Sequence, residues 1–125
     1  MGLLQPLGRP RRLCRRALVL VTLRTLDSLG ALEGRVVGVR LDLNVPLAGG
    51  EITDDGRIRA AIPTLEHLAS SGAVIVAMSH LGRPDGTVNP DYSLAPVAKR
   101  LQEIWPHTVH LVSEVAGPEV DAAIS

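Results

Sequence analysis

The sequence predicts an α/β fold: part of a doubly wound, Rossmann-like three-layer sandwich around a parallel sheet, cut short. Apolar runs at 35–43, 73–78 and 108–112 alternate with segments whose apolar residues recur at helical spacing. Strands that alternate with helices pair in parallel through right-handed crossovers. The chain has 125 residues, room for one core and not for two. Its 46% hydrophobic and 21% charged residues are the balance of a folded domain rather than a disordered one.

The amino-terminal end differs from the rest. Residues 1–24 hold six arginines and no acid, while 25–125 hold seven bases and all thirteen acids. Residues 1–20 read as a basic extension, expected to be disordered, ahead of a domain at 21–125. Basic residues before Ala17-Leu18-Val19-Leu20-Val21 follow the order of a signal peptide. The apolar part is too short, and Arg24 and Asp27 stand where a small-residue cleavage site belongs. A transit segment or an arm on RNA would have the same composition. No apolar run approaches the ~20 residues of a membrane-spanning helix, so no membrane partner is expected. The single cysteine, Cys14, excludes an internal disulfide. Tyr92 and Trp105 are the only aromatics, too few to stack single-stranded nucleic acid, and no such partner is expected.

Residues 25–29 form a short amphipathic turn or helix, and 35–43 a buried strand. Ala48-Gly49-Gly50 is a turn. Asp54 and Asp55 start a helix, because carboxylates accept its orphan N–H groups and suit its positive end. Ile58, Ala61, Ile62, Leu65, Leu68 and Ala69 make its apolar face. Pro63 lies inside that run and should kink the helix or begin a second segment. Ser71-Gly72 closes it. A second buried strand follows at 73–78, then a long loop at 79–92, of the kind that tends to carry function. Ser93 can cap a helix with Leu94, Val97, Ala98, Leu101, Ile104 and Trp105 on its apolar face. Pro106 stops that helix, with Trp105 packed under the sheet. A third strand is expected at 108–112, and Gly117-Pro118 opens a last helix.

Open parallel sheets bind ligands beyond the carboxyl ends of their strands. That rule selects 40–46 and 80–84. On a strand, Arg40, Asp42 and Asn44 share one side. Asp42 could simply pair with Arg40, with Asn44 capping the turn. Likewise His80 could be a loop imidazole bonded to a carbonyl, Arg83 a solvated charge, and Arg57 a partner for Asp54 and Asp55. Gathered at one sheet edge, however, Arg57, His80 and Arg83 would make a donor-rich cationic site for a small carboxylate or phosphate. His107 and His110 would face opposite ways on a strand, which argues against zinc. No metal site is expected.

Four segments occur in order: Val39-Arg40-Leu41-Asp42-Leu43-Asn44-Val45-Pro46, then Ile52-Thr53-Asp54-Asp55-Gly56-Arg57-Ile58-Arg59-Ala60-Ala61-Ile62-Pro63-Thr64, then Met78-Ser79-His80-Leu81-Gly82-Arg83-Pro84, then Tyr92-Ser93-Leu94-Ala95-Pro96-Val97. Over residues 22–125 the chain resembles the amino-terminal domain of phosphoglycerate kinase. That family exchanges a phosphoryl group between ATP and 3-phosphoglycerate, giving 1,3-bisphosphoglycerate, in glycolysis. The resemblance implies that Asp42, Leu43 and Asn44 hold the glycerate part. It places Arg57 by the transferring phosphoryl group as the catalytic residue. His80 and Arg83, with the backbone of Leu81 and Gly82, would bind the phosphate end, and Arg40 would belong to the surrounding basic patch. The attacking group is a carboxylate, ionised at neutral pH because such groups titrate near ~4, so no general base is needed. The resemblance also implies a cytoplasmic setting, a family that is usually monomeric, and Mg-ATP or Mg-ADP held by a carboxyl-terminal domain. By the same resemblance this chain is expected to stop inside the first domain, and its sequence has no Gly-x-x-x-x-Gly-Lys-Ser/Thr loop or Gly-x-Gly-x-x-Gly turn. The expectation is therefore a fragment without a nucleotide site and inactive alone. The alternative is a non-catalytic 3-phosphoglycerate-binding or interaction module.

Overall fold

A computed structural model describes residues 23–125. The expected extension at 1–20, with Cys14, lies outside the described residues. The first element is a 3-10 turn, Leu26–Leu29, in which the Ser28 hydroxyl donates to the Thr25 carbonyl at 2.7 Å. Strand β1, Val36–Arg40, follows. Next come two short strands, β2 (Leu47–Ala48) and β3 (Glu51–Ile52), paired as an antiparallel hairpin. Gly49 and Gly50 connect them with φ of 60° and 84°. A two-residue hairpin loop with positive φ at both positions matches the strand twist, and glycine adopts it without steric cost. Those two strands went unseen in the sequence, where only the turn was legible.

Helix α1, Gly56–Ser70, buries Ile58, Ala61, Leu65 and Leu68, four of the six residues assigned to its apolar face. It runs through Pro63 as one helix, against the expected second segment. Ile58 and Leu65, on either side of Pro63, belong to one core cluster. Packing of both flanks on the same core outweighs the one helical hydrogen bond that proline removes. Gly72, with φ of 74°, turns the chain out of the helix.

Strand β4, Val74–Met78, pairs in parallel with β1, in register from Val36 opposite Val74 to Arg40 opposite Met78. The chain then passes through a 3-10 turn, Pro90–Tyr92, into α2, Ala95–Ile104. Leu94 rather than the expected Ser93 occupies the cap position, and the Ser93 hydroxyl, one residue earlier, accepts from the Ala95 N–H at 3.2 Å. A short helix α3, Pro118–Ile124, comes last. Leu43, Val45, Ile58, Leu65, Val97, Leu101 and Trp105 form the centre of the core, with Val39, Leu41 and Ile75 of the sheet packed on it.

Two strand expectations are corrected. Neither β1 nor β4 is a buried strand: β1 alternates exposed and half-buried residues, and Val74, Ala77 and Met78 of β4 are exposed. Among the described residues the helices pack against the face carrying Val39 and Ile75, while the face carrying Val36, Val74 and Met78 stays open. Nor is 108–112 a strand, for the described sheet contains β1 and β4 only. The segment is tied down by a side chain instead. Gln102 of α2 donates through Nε2 to the His107 carbonyl at 3.1 Å and accepts the Val109 N–H on Oε1 at 2.7 Å. One amide side chain thus does for two backbone groups what a ladder partner would have done.

Candidate active site

The carboxyl ends of β1 and β4 lie side by side because the strands are parallel and in register. Each continues into a loop, and two hydrogen bonds join the loops. The Leu43 N–H donates to Ser79 Oγ at 3.1 Å, and the Gly82 N–H donates to Asn44 Oδ1 at 3.0 Å. Leu43 and Leu81 point inward, only 5% and 4% exposed, and anchor their loops in the core. Alternation along the chain then leaves Asp42 exposed and Asn44 half-buried at the rim.

Arg57 reaches the same rim from the second residue of α1. Its Nη1 donates to both Asp42 oxygens, each at 2.8 Å. Among the described residues only one guanidinium nitrogen is engaged, which leaves Nε and Nη2 as donors for a ligand. The Asp42 carboxyl is held below its usual value of 3.8. The largest cause is the Asn44 backbone N–H, which donates to Oδ1 at 3.2 Å; the Arg57 hydrogen bond and charge add to it, and His80 is near enough to contribute charge as well.

The structure thus joins Asp42, Asn44, Arg57 and Gly82 by hydrogen bonds, and His80 lies on the same loop as Gly82. Arg83 follows on the same loop and is exposed; among the described residues no hydrogen bond or ion pair ties it to the cluster. Two readings of the residues alone are corrected. Asp42 pairs with Arg57 rather than with Arg40. Arg57 does not partner Asp54 or Asp55: Asp54 Oδ1 accepts the Gly56 N–H at 2.7 Å, and Asp55 takes Arg59 and Arg100, at 2.9 and 2.8 Å. Arg57 sits two residues from Asp55, the wrong spacing on a helix, while Arg59 is one turn away. Ser79 is the residue sequence reasoning passed over. Its signal was a hydroxyl placed directly between an apolar strand and His80.

A family model for phosphoglycerate kinase matches residues 26–125. The chain belongs to the phosphoglycerate kinase family. It is 54% identical over 105 residues to the phosphoglycerate kinase of Leifsonia xyli, covering 84% of this chain and 26% of that protein. The enzyme of Clavibacter michiganensis is 55% identical over 104 residues, covering 83% and 26%. Among solved structures, phosphoglycerate kinase from Pyrococcus horikoshii superposes with a TM-score of 0.73 at 29% identity, over 82% of this chain and 24% of that one. The Coxiella burnetii enzyme gives 0.58 at 42% identity, over 62% and 20%. The chain thus spans about a quarter of the length of the curated relatives it matches.

Proposed function

We propose that this chain supplies the 3-phosphoglycerate-binding part of a phosphoglycerate kinase. One observation carries the reading: Arg57 of α1, the end of β1 and the end of β4 are joined into a single hydrogen-bonded rim. In this reading Asp42 and Asn44 hold the glycerate, with Leu43 contributing only through its place in the loop, since its side chain is buried. His80 and Arg83, with the backbone of Leu81 and Gly82, hold the phosphate end. Arg57 keeps Nη1 on Asp42 and turns its other donors to the carboxyl-phosphate group. Phosphoryl transfer needs alignment and neutralisation of spreading negative charge more than it needs proton transfer. A fixed guanidinium and no general base are what such a reaction requires of this half of a site. The setting would be glycolytic and cytoplasmic.

The family's Mg-nucleotide fits the described residues poorly. The polar cleft between β3 and α2, about 740 Å³, sets Glu51, Asp54, Asp55 and Glu103 against Lys99 and Arg100, an acid-rich wall for a polyphosphate. No catalytic step is therefore routed through a nucleotide here. The isolated chain is expected to bind substrate without turning it over, and turnover in a coupled ATP-dependent assay would contradict this. The binding itself is tested by titrating 3-phosphoglycerate into the wild type and Arg57→Ala by calorimetry. Loss of charge-assisted hydrogen bonds at ~1.5–3 kcal/mol should weaken binding roughly 10- to 150-fold. Equal affinities would dismiss the reading.

A further inference from the structure

The loop from β4 to α2 leaves the sheet at Ser79, and near its far end Tyr92 lies against Gly82. Gly82 has φ of 59°, and a Cβ placed on it would fall onto the Tyr92 ring. Tyr92 ends the 3-10 turn Pro90–Tyr92, whose first N–H groups are satisfied locally: Asn89 Oδ1 accepts the Asp91 N–H at 3.0 Å. Tyr92 is 40% exposed and is not one of the buried residues of the core cluster. Full burial therefore does not account for its place against a glycine backbone.

The same Gly82 gives its N–H to Asn44 Oδ1. It is thus held from two directions, by an aromatic ring against Cα and by an amide oxygen on N–H. His80 and Arg83 flank it in the chain. The contact acts on Asn44 as well: with Oδ1 taken, its Nδ2 donors are the part left for an anion. We infer that Tyr92 is a positioning residue: by holding Gly82 in its left-handed conformation against Asn44, it sets the array of donors from His80 to Arg83 before substrate arrives. This rests on the 3-phosphoglycerate reading above and adds to it a residue that touches no reacting atom. The advantage is pre-organisation, since an ordered loop has less freedom to lose on binding.

The test uses the full chain, labelled with 15N, without ligand and then with 3-phosphoglycerate. In the wild type the Gly82 amide should exchange slowly and its Hα should carry a ring-current shift. Tyr92→Ala should speed Gly82 exchange at least about tenfold, leave the amides of Ile58 and Leu65 protected, and weaken substrate binding roughly tenfold, the cost of ordering one or two side chains. Tyr92→Phe should restore both. Tyr92→Leu, which keeps apolar bulk without a ring, takes the place of Tyr92→Ala if that variant does not fold, with the same losses expected. Wild-type exchange and affinity in the ringless variants would overturn the inference while leaving the substrate reading intact. Loss of protection at Ile58 and Leu65 together with Gly82 would also overturn it, as the mark of a purely structural residue. Failure of the wild type to bind 3-phosphoglycerate would overturn the substrate reading and the inference together.

Discussion

Arg57 holds both Asp42 oxygens through a single nitrogen, so the pair leaves most of the guanidinium uncommitted. Such an exposed pair adds little to stability, and Asp42→Asn should leave the fold standing while reducing substrate affinity. The pH dependence follows from the lowered Asp42 value. A carboxyl held lower in the folded chain than in the unfolded one contributes its stability above the unfolded value, and loses it as pH falls through the folded one. Carboxyl NMR should therefore place the Asp42 midpoint below 3.8, and Arg57→Ala should move it only part of the way back, because the Asn44 N–H is the larger cause. A full return would show that Arg57 dominates instead. Gly82→Ala should destabilise the chain by roughly 1–3 kcal/mol through backbone strain, plus the clash with Tyr92. Denaturant titration checks this, and removing the Tyr92 ring in the same chain should recover the clash but not the strain.

At the scale of elements, α1 is held at its start and along its length by different forces. At its start, Asp55 accepts from Arg59 and from Arg100 of α2, and Arg100 also meets Glu103 at 2.8 Å. The hydrogen bonds from Arg59 and then Arg100 hold Asp55 below its ordinary value of 3.8. By the same sign argument this link between α1 and α2 is complete above about pH 4 and is lost as acid protonates Asp55. Asp55→Asn should lower the thermal midpoint near neutral pH and flatten its fall below pH ~4; an unchanged acid limb would place the sensitivity elsewhere. Along its length the helix is held by its buried face. Pro63 is exposed and cannot donate to the Arg59 carbonyl. Pro63→Ala should restore that hydrogen bond and raise stability by about 1–2 kcal/mol, the helical penalty less the stiffening proline gives the unfolded chain. A loss of stability would mean that the ring itself packs usefully. The apolar spacing of α1 was plain in the sequence. The continuity through Pro63 was not, because it depends on Ile58 and Leu65 sharing a core with residues of α2.

For the molecule as a whole, the sheet face left open among the described residues is the dominant feature. Val36 and Met78 are 52% and 50% exposed, on strands of a type that is normally covered on both faces. Apolar surface on an uncovered sheet with free edges favours association. Val36→Lys should reduce light scattering and shift the chain toward monomer in size-exclusion chromatography, with the far-UV circular dichroism unchanged. Equal self-association in that variant would point to another surface. Residues 108–112 show why a whole-molecule property escaped the sequence. Their apolar, β-branched composition suits a strand, yet Gln102 takes the backbone groups that a neighbouring strand would have paired.

The sequence alone determined the positions of β1, α1, β4 and α2, the apolar faces of α1 and α2, the glycine turn, and the family to which the residues at 39–46, 52–64 and 78–84 belong. These are local properties, written in spacing, backbone freedom and side-chain type. Tertiary structure decided the partners: Asp42 with Arg57, Gly82 with Asn44 and Tyr92, Asp55 with Arg100. Long-range pairs depend on the register of β1 against β4 and on where the helices settle. A charged side chain with several possible partners pairs with whichever one the packed backbone brings within reach.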